Sequence, residues 1–192
     1  MKLCVYGASS NAIDPSFIKQ GEQLGRLMAE HGHELVFGGG DNGMMGAVAR
    51  GVHNNGGRVV GIAPSFFKVD GVLYEHCDEF LYPETMRERK RLLEDMADGF
   101  VVTAGGTGTF DEFFEVLTLK QLSRHTKPIA ILNTNGYYNA LTALLDNAIE
   151  KHFMTPANRE LYFITDSPEK LLEYLECYTP ETVELSDLKE IR

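Results

Sequence analysis

The chain has 192 residues, of which 28 are acidic and 18 are Lys or Arg, for a net charge of −10. With 43% hydrophobic and 24% charged residues, it has the balance of a soluble globular protein and the length to bury a core. The acidic excess argues against a nucleic-acid polymer or an anionic membrane as the main partner, because both need clustered positive charge.

No apolar run approaches the ~20 residues of a membrane span. Cys4, Cys77 and Cys177 are odd in number and form no CxxC pair. Neither a disulfide framework nor a cysteine zinc site is expected, and a reducing, cytoplasmic setting is. The six histidines show no HExxH or other ligand spacing, so no metal centre is expected.

Short apolar runs alternate with amphipathic stretches along the chain. Residues 3–6 read as a strand. Asp14-Pro15 reads as an N-cap with Pro at the first helical position. Phe17, Leu24, Leu27 and Met28 follow at helical spacing, and Gly32 suits the helix end. A strand at 34–37 ends in Gly38-Gly39-Gly40, and a helix is expected over 44–54. Residues 58–63 read as a strand stopped by Pro64, and 78–82 as a further strand.

Thr85 and Glu88 have capping-box spacing at the head of a helix reaching about 97. A buried strand at 100–103 leads through a loop at 104–108 into a helix over 110–123. Residues 128–132, 138–152 and 161–165 read as strand, helix and strand. Ser167-Pro168 starts a last helix that fades near Cys177. The alternation predicts right-handed βαβ units and a doubly wound parallel sheet, a Rossmann-like α/β domain over residues 1–178 with an acidic tail at 179–192. Ligands of such sheets bind at the carboxyl ends of the strands.

Gly makes up 19 residues, ~10% against a usual ~7%, and eight of them lie in two loops at that edge. Gly38, Gly39, Gly40, Gly43 and Gly46 follow the second strand; Gly105, Gly106 and Gly108 follow the strand at 100–103. A helix begins after each loop, so free N–H groups and the positive end of a dipole are expected to face a phosphate.

Residues 38–43 match GxGxxG, but no acid ends the next strand to hold a ribose, and the loop follows the second strand rather than the first. A dinucleotide site is therefore disfavoured, and no Walker motif occurs. Gly105-Gly106-Thr107-Gly108-Thr109 adds hydroxyls to its backbone donors. Glu112 stands three residues beyond Thr109, a spacing that fits a capping box and also fits a carboxylate facing the sugar of a bound ligand; the spacing does not separate the two. Arg87, Arg89, Lys90 and Arg91 form a basic run. Arg89 and Lys90 offer an anion a planar fork and a point charge, a local attraction in a chain of net −10.

At these residues the sequence resembles the Lonely-guy family, the cytokinin riboside 5′-monophosphate phosphoribohydrolases, whose relatives have often been labelled lysine decarboxylases. The resemblance rests on Arg89-Lys90, on the run 104–112 against the family's PGGxGTxxE, and on Gly38 to Gly46 with Met44-Met45. Gly61 to Pro64 and Gly136-Tyr137-Tyr138 add to it. It implies a Rossmann-like homodimer that hydrolyses the N-glycosidic bond of a nucleoside 5′-monophosphate, with no cofactor, no metal and no pyridoxal phosphate.

The resemblance assigns catalysis to Arg89 and Glu112. It assigns substrate binding to Lys90, Gly105, Gly106, Thr107, Gly108, Thr109 and Thr118, to which the first glycine loop adds Gly39, Gly40, Gly43 and Met44. Ala104, Arg87, Thr85 and Thr107 depart from common family residues and bear on base preference. A molybdenum-cofactor or nucleotide carrier is the competing reading, and a decarboxylase a third.

Overall fold

The computed structural model describes residues 1–180; beyond Pro180, the expected acidic tail lies outside the described residues. Seven parallel strands form one sheet in the order β4-β3-β2-β1-β5-β6-β7. They are β1 (Lys2–Tyr6), β2 (Glu34–Phe37), β3 (Val59–Ile62), β4 (Glu79–Leu81), β5 (Gly99–Val102), β6 (Ile129–Leu132) and β7 (Phe163–Thr165). The helices are α1 (Pro15–Glu30), α2 (Gly43–His53), α3 (Met86–Met96), α4 (Thr107–Gln121), α5 (Asn139–Glu150) and α6 (Pro168–Cys177).

The sheet sorts its side chains with a period of two. Leu3 and Val5 of β1 join one core layer with Leu35, Phe37, Val48 and Leu172. Cys4 and Tyr6 point the other way, into a layer with Val36, Leu93, Phe100 and Phe113. Strands covered on both faces read as continuous apolar runs, which is why β2, β3, β5 and β6 stood out in the sequence.

The local signals at helix ends act as expected. Asp14 Oδ1 accepts from the Ser16 amide at 2.8 Å. Thr85 and Glu88 form the reciprocal capping box, with Thr85 Oγ1 accepting from Glu88 N at 3.2 Å and Glu88 Oε2 from Thr85 N at 3.1 Å. Gly32 takes φ +73° after α1.

Two elements differ from expectation. Residues 156–161 are a 3-10 helix, so β7 begins only at Phe163. Helix α4 begins at Thr107, with Gly106 as its N-cap, three residues before the expected start. Thr109 therefore lies inside the helix, and the Thr109–Glu112 capping box does not form.

The chain builds outward from β1 to β4, then crosses back to place β5 on the other side of β1. The loops leaving β1 and β5 consequently diverge, and the crevice between them is where a ligand has room in a doubly wound sheet.

Candidate active site

A cavity of about 670 Å³ opens at this switch point, well within the usual size of small-molecule sites. Three loops supply most of its lining. After β1 come Gly7, Ala8, Ser9 and Ser10; after β2 come Gly38, Gly40, Asn42 and Met45; after β5 come Gly106, Thr107, Gly108 and Thr109. Phe67, Val72, Leu73 and Met86 line it as well, and Arg89 and Glu112 complete it.

Arg89 and Glu112 come from different helices and meet at the cavity. Arg89 Nη1 donates to Glu112 Oε1 at 2.8 Å, and Arg89 Nε donates to the Ile62 carbonyl at 3.1 Å. Each side chain is only 11% exposed. Burial pushes the Glu112 carboxyl above its ordinary value, and the neighbouring Arg89 charge pulls against that rise. Glu112 is thus committed to Arg89 and not to capping, and among the described residues its second oxygen, Oε2, accepts no hydrogen bond.

Gly38 makes this seating possible, since a methyl group there would overlap the Arg89 guanidinium. Gly39 has φ +76° and packs against the Phe80 ring, with no space for a side chain.

The two glycine loops do different work. Two amides at the start of α2 are taken: Gly43 N donates to Asn11 Oδ1 at 2.8 Å and Met45 N to the Ala8 carbonyl at 3.2 Å. The first loop therefore offers a phosphate fewer free amides than the sequence led one to expect. Gly40 reaches the cavity, whereas Gly39 and Gly43 do not line it, and Met44 is fully buried in the core.

The start of α4 is different. Its N-cap, Gly106, carries no side-chain cap. The amides of Thr107, Gly108 and Thr109 have no acceptor among the described residues and border the cavity. Three orphan donors stand at the positive end of a 15-residue helix, the arrangement that suits an anion.

The loop before α4 is braced from behind. Tyr137 Oη donates to the Gly105 carbonyl at 2.6 Å and Tyr138 Oη to the Thr103 carbonyl at 2.7 Å. Gly105 packs closely on Thr109 and does not itself line the cavity.

The basic run does not act as expected. Arg87 and Arg91 are exposed. Lys90 Nζ is tied to Asp111 at 3.0 Å and to Glu115 at 2.6 Å, outside the cavity lining. Thr118 is exposed two turns along α4 from Glu112 and does not line it either.

Reading the sequence missed the 7–10 loop, although Gly7-Ala8-Ser9-Ser10 after an apolar strand was a turn signal; its weight follows from β1 sitting at the switch point. It also missed the return segment, in which Tyr74 N donates to the Gly39 carbonyl at 2.8 Å and Asp41 N to Val72 at 3.0 Å. Those bonds bring Val72 and Leu73 to the cavity, and no local pattern marks them.

An uncapped helix N-terminus beside a buried arginine–carboxylate pair, at the switch point of a Rossmann-like sheet, is the arrangement of an α/β protein suited to a small phosphorylated ligand. Comparison with known proteins narrows the class. Residues 45–175 match the family described as "Possible lysine decarboxylase". A cytokinin riboside 5′-monophosphate phosphoribohydrolase of Arabidopsis thaliana is 35% identical over 185 residues, spanning 96% of this chain and 85% of the relative. A second from the same plant is 34% identical over 180 residues, spanning 94% and 84%.

Among solved structures, the molybdenum cofactor binding protein of Rippkaea orientalis aligns with TM-score 0.68 at 25% identity, covering 91% of this chain and 94% of that one. The molybdenum cofactor carrier protein of Chlamydomonas reinhardtii shares the fold, with TM-score 0.69 at 19% identity over 92% and 98%. The chain belongs to the Lonely-guy family.

Proposed function

We propose that this protein hydrolyses the N-glycosidic bond of a nucleoside 5′-monophosphate, of the AMP or cytokinin riboside type, to free base and ribose 5-phosphate. The observation that carries this reading is the buried Arg89–Glu112 pair, which faces the same cavity as the free amides of α4.

The 5′-phosphate sits on the Thr107, Gly108 and Thr109 amides, with the Thr107 and Thr109 hydroxyls beside it. Its binding energy fixes the ribose relative to Glu112. Cleavage develops positive charge at the anomeric carbon. The Glu112 carboxylate stabilises that charge and takes a proton from the attacking water. The C–N bond to the base breaks, a C–O bond to water forms, and the base leaves with the proton that Glu112 took from the water, which returns the carboxylate. Arg89 holds the carboxylate in place. Phe67, Val72, Leu73 and Met86 give the cavity an apolar wall suited to a base.

A homodimer belongs to the same proposal, supported by the exposed apolar side chains Tyr82, Met86 and Phe114 near α3 and α4. Lys90 and Thr118, which the family pattern assigns to the nucleotide, lie on that side rather than in the cavity. A cytoplasmic location is also proposed, on the three unpaired cysteines.

The competing carrier reading draws on the shared fold, and a carrier has no use for a carboxylate at the sugar. Incubation with AMP and chromatography for adenine tests the proposal. Adenine release from AMP, with adenosine a far poorer substrate, supports it; equal rates on both would remove the phosphate from the mechanism. Glu112→Gln should abolish release while keeping nucleotide binding, and wild-type turnover in that variant would refute the assignment.

A further inference from the structure

A cluster at the opposite edge of the sheet takes no part in the site above. His31 caps the end of α1, Gly32 turns the chain at φ +73°, and His33 leads into β2. Glu176 reaches both rings from α6. Its Oε1 accepts from His31 Nδ1 at 2.8 Å and from His33 Nε2 at 2.8 Å. The donor atoms of the three side chains all lie within 4.8 Å of one another.

The backbone around the two histidines is fixed. His31 N donates to Leu27, His33 N to Met28 and Glu34 N to Met1, at 2.8–3.0 Å. His33 is 6% exposed and His31 is open to solvent, so the cluster has a rigid inner side and an accessible outer one.

From this geometry we infer that His31, His33 and Glu176 form a binding site for a divalent transition-metal ion of the zinc class. Two imidazoles and one carboxylate are the ligand set that zinc, cobalt(II) and nickel(II) accept. Metal–ligand bonds of about 2.0–2.2 Å place tetrahedral donor atoms roughly 3.3 Å apart. Replacing the two hydrogen bonds by a metal therefore asks Glu176 to withdraw by about half an ångström, and the exposed His31 ring to turn toward His33, because the donor atoms spread over as much as 4.8 Å. A fourth position remains for water.

The ion ties α1 to α6, which already meet through Gln23 on Glu169 at 2.8 Å, while Gln20 holds the Asp166 carbonyl just before α6 at 2.6 Å. Its role is to hold α6, far from the chemistry at the carboxyl ends of the strands. With the metal on Nε2, His33 carries its proton on Nδ1, turned toward the Met1 amine at 3.4 Å.

The untagged chain is dialysed against zinc chloride and bound zinc is measured by atomic absorption. One zinc per chain is expected, with a rise in the melting temperature. His31→Gln and Glu176→Gln should each weaken binding about tenfold or more and abolish the thermal shift. Glu112→Gln and Cys177→Ser should bind zinc as the wild type does. Substitution with cobalt(II) should give a tetrahedral visible spectrum without a thiolate charge-transfer band. Absence of bound zinc, binding unchanged in His31→Gln and Glu176→Gln, or a thiolate band would each overturn the site. Circular dichroism of the two variants keeps misfolding from passing as lost binding, since His31 is exposed and its replacement leaves the core intact.

Discussion

Gly38→Ala separates the seat of Arg89 from the stability of the fold. Gly38 does not need a left-handed backbone, so alanine brings no conformational strain of the kind glycine relieves. Its added methyl meets the Arg89 guanidinium and stands 3.2 Å from Met45 Sδ. The guanidinium is the far end of a flexible side chain and can swing away, whereas the backbone stays. Swinging breaks the bonds to Glu112 at 2.8 Å and to the Ile62 carbonyl at 3.1 Å.

Hydrogen bonds to charged groups contribute about 1.5–3 kcal/mol each. Leaving Glu112 ionised and unpaired would cost about 3–5 kcal/mol. Protonating Glu112 avoids that penalty, so the stability loss should stay below it and the protein should remain folded. Catalysis has no such escape, because misplacement by about an ångström costs roughly 100-fold.

The assay is the initial rate of base release from AMP from about pH 5 to 9, with thermal melting alongside. We expect the rate to fall by about two orders of magnitude. Without its cation, the Glu112 carboxyl rises further, so the acid limb of kcat/KM should move to higher pH. A Gly38→Ala enzyme within about twofold of wild type, with an unmoved acid limb, would refute the reasoning that Arg89 positions Glu112.

Tyr137→Phe removes the donor to the Gly105 carbonyl, at about 1–3 kcal/mol if that group stays dry; KM for AMP should rise more than kcat falls, and an unchanged KM would show that the brace is idle. Thr85→Ala opens the α3 capping box at about 1 kcal/mol, a loss of roughly 2–4 °C in Tm for a chain of this size. Burial, with Glu115 and Asp95 nearby, raises the Glu94 carboxyl to about 7. The folded state therefore binds a proton that the unfolded state has released, and Glu94 lowers stability as pH rises from its ordinary value through about 7. Glu94→Gln should raise Tm at pH 8 and leave it unchanged in acid below that range; equal effects at both would exclude the carboxylate charge as the cause.

The parts of this protein legible in sequence depend on neighbours along the chain. The Asp14 and Thr85 caps, the buried strands and the glycine-rich loops are all local patterns. The rest required the third dimension. The capping-box spacing of Thr109 and Glu112 is real, but α4 starts at Thr107 with Gly106 as its N-cap, so Glu112 is free to reach Arg89. A glycine-rich loop running into a helix described two helix starts equally well, and only the structure shows Asn11 occupying an amide of one of them. Val72 and Leu73 come to the cavity through backbone bonds to Gly39 and Asp41 that no side-chain pattern encodes.

Charge illustrates the same division. The basic run from Arg87 to Arg91 promised an electrostatic lure for an anion in an acidic protein. Folding cancels most of it: Lys90 is shared by Asp111 and Glu115, and Arg89 is neutralised by Glu112. What remains for a phosphate is a set of neutral amides at the end of a helix, whose pull acts at short range inside a cavity. Salt screens exposed charges over a Debye length of about 8–10 Å and screens buried ones much less. Between about 0.05 and 0.5 M salt, KM for AMP should therefore change only modestly. A steep, log-linear rise would return the recognition of phosphate to the exposed cations.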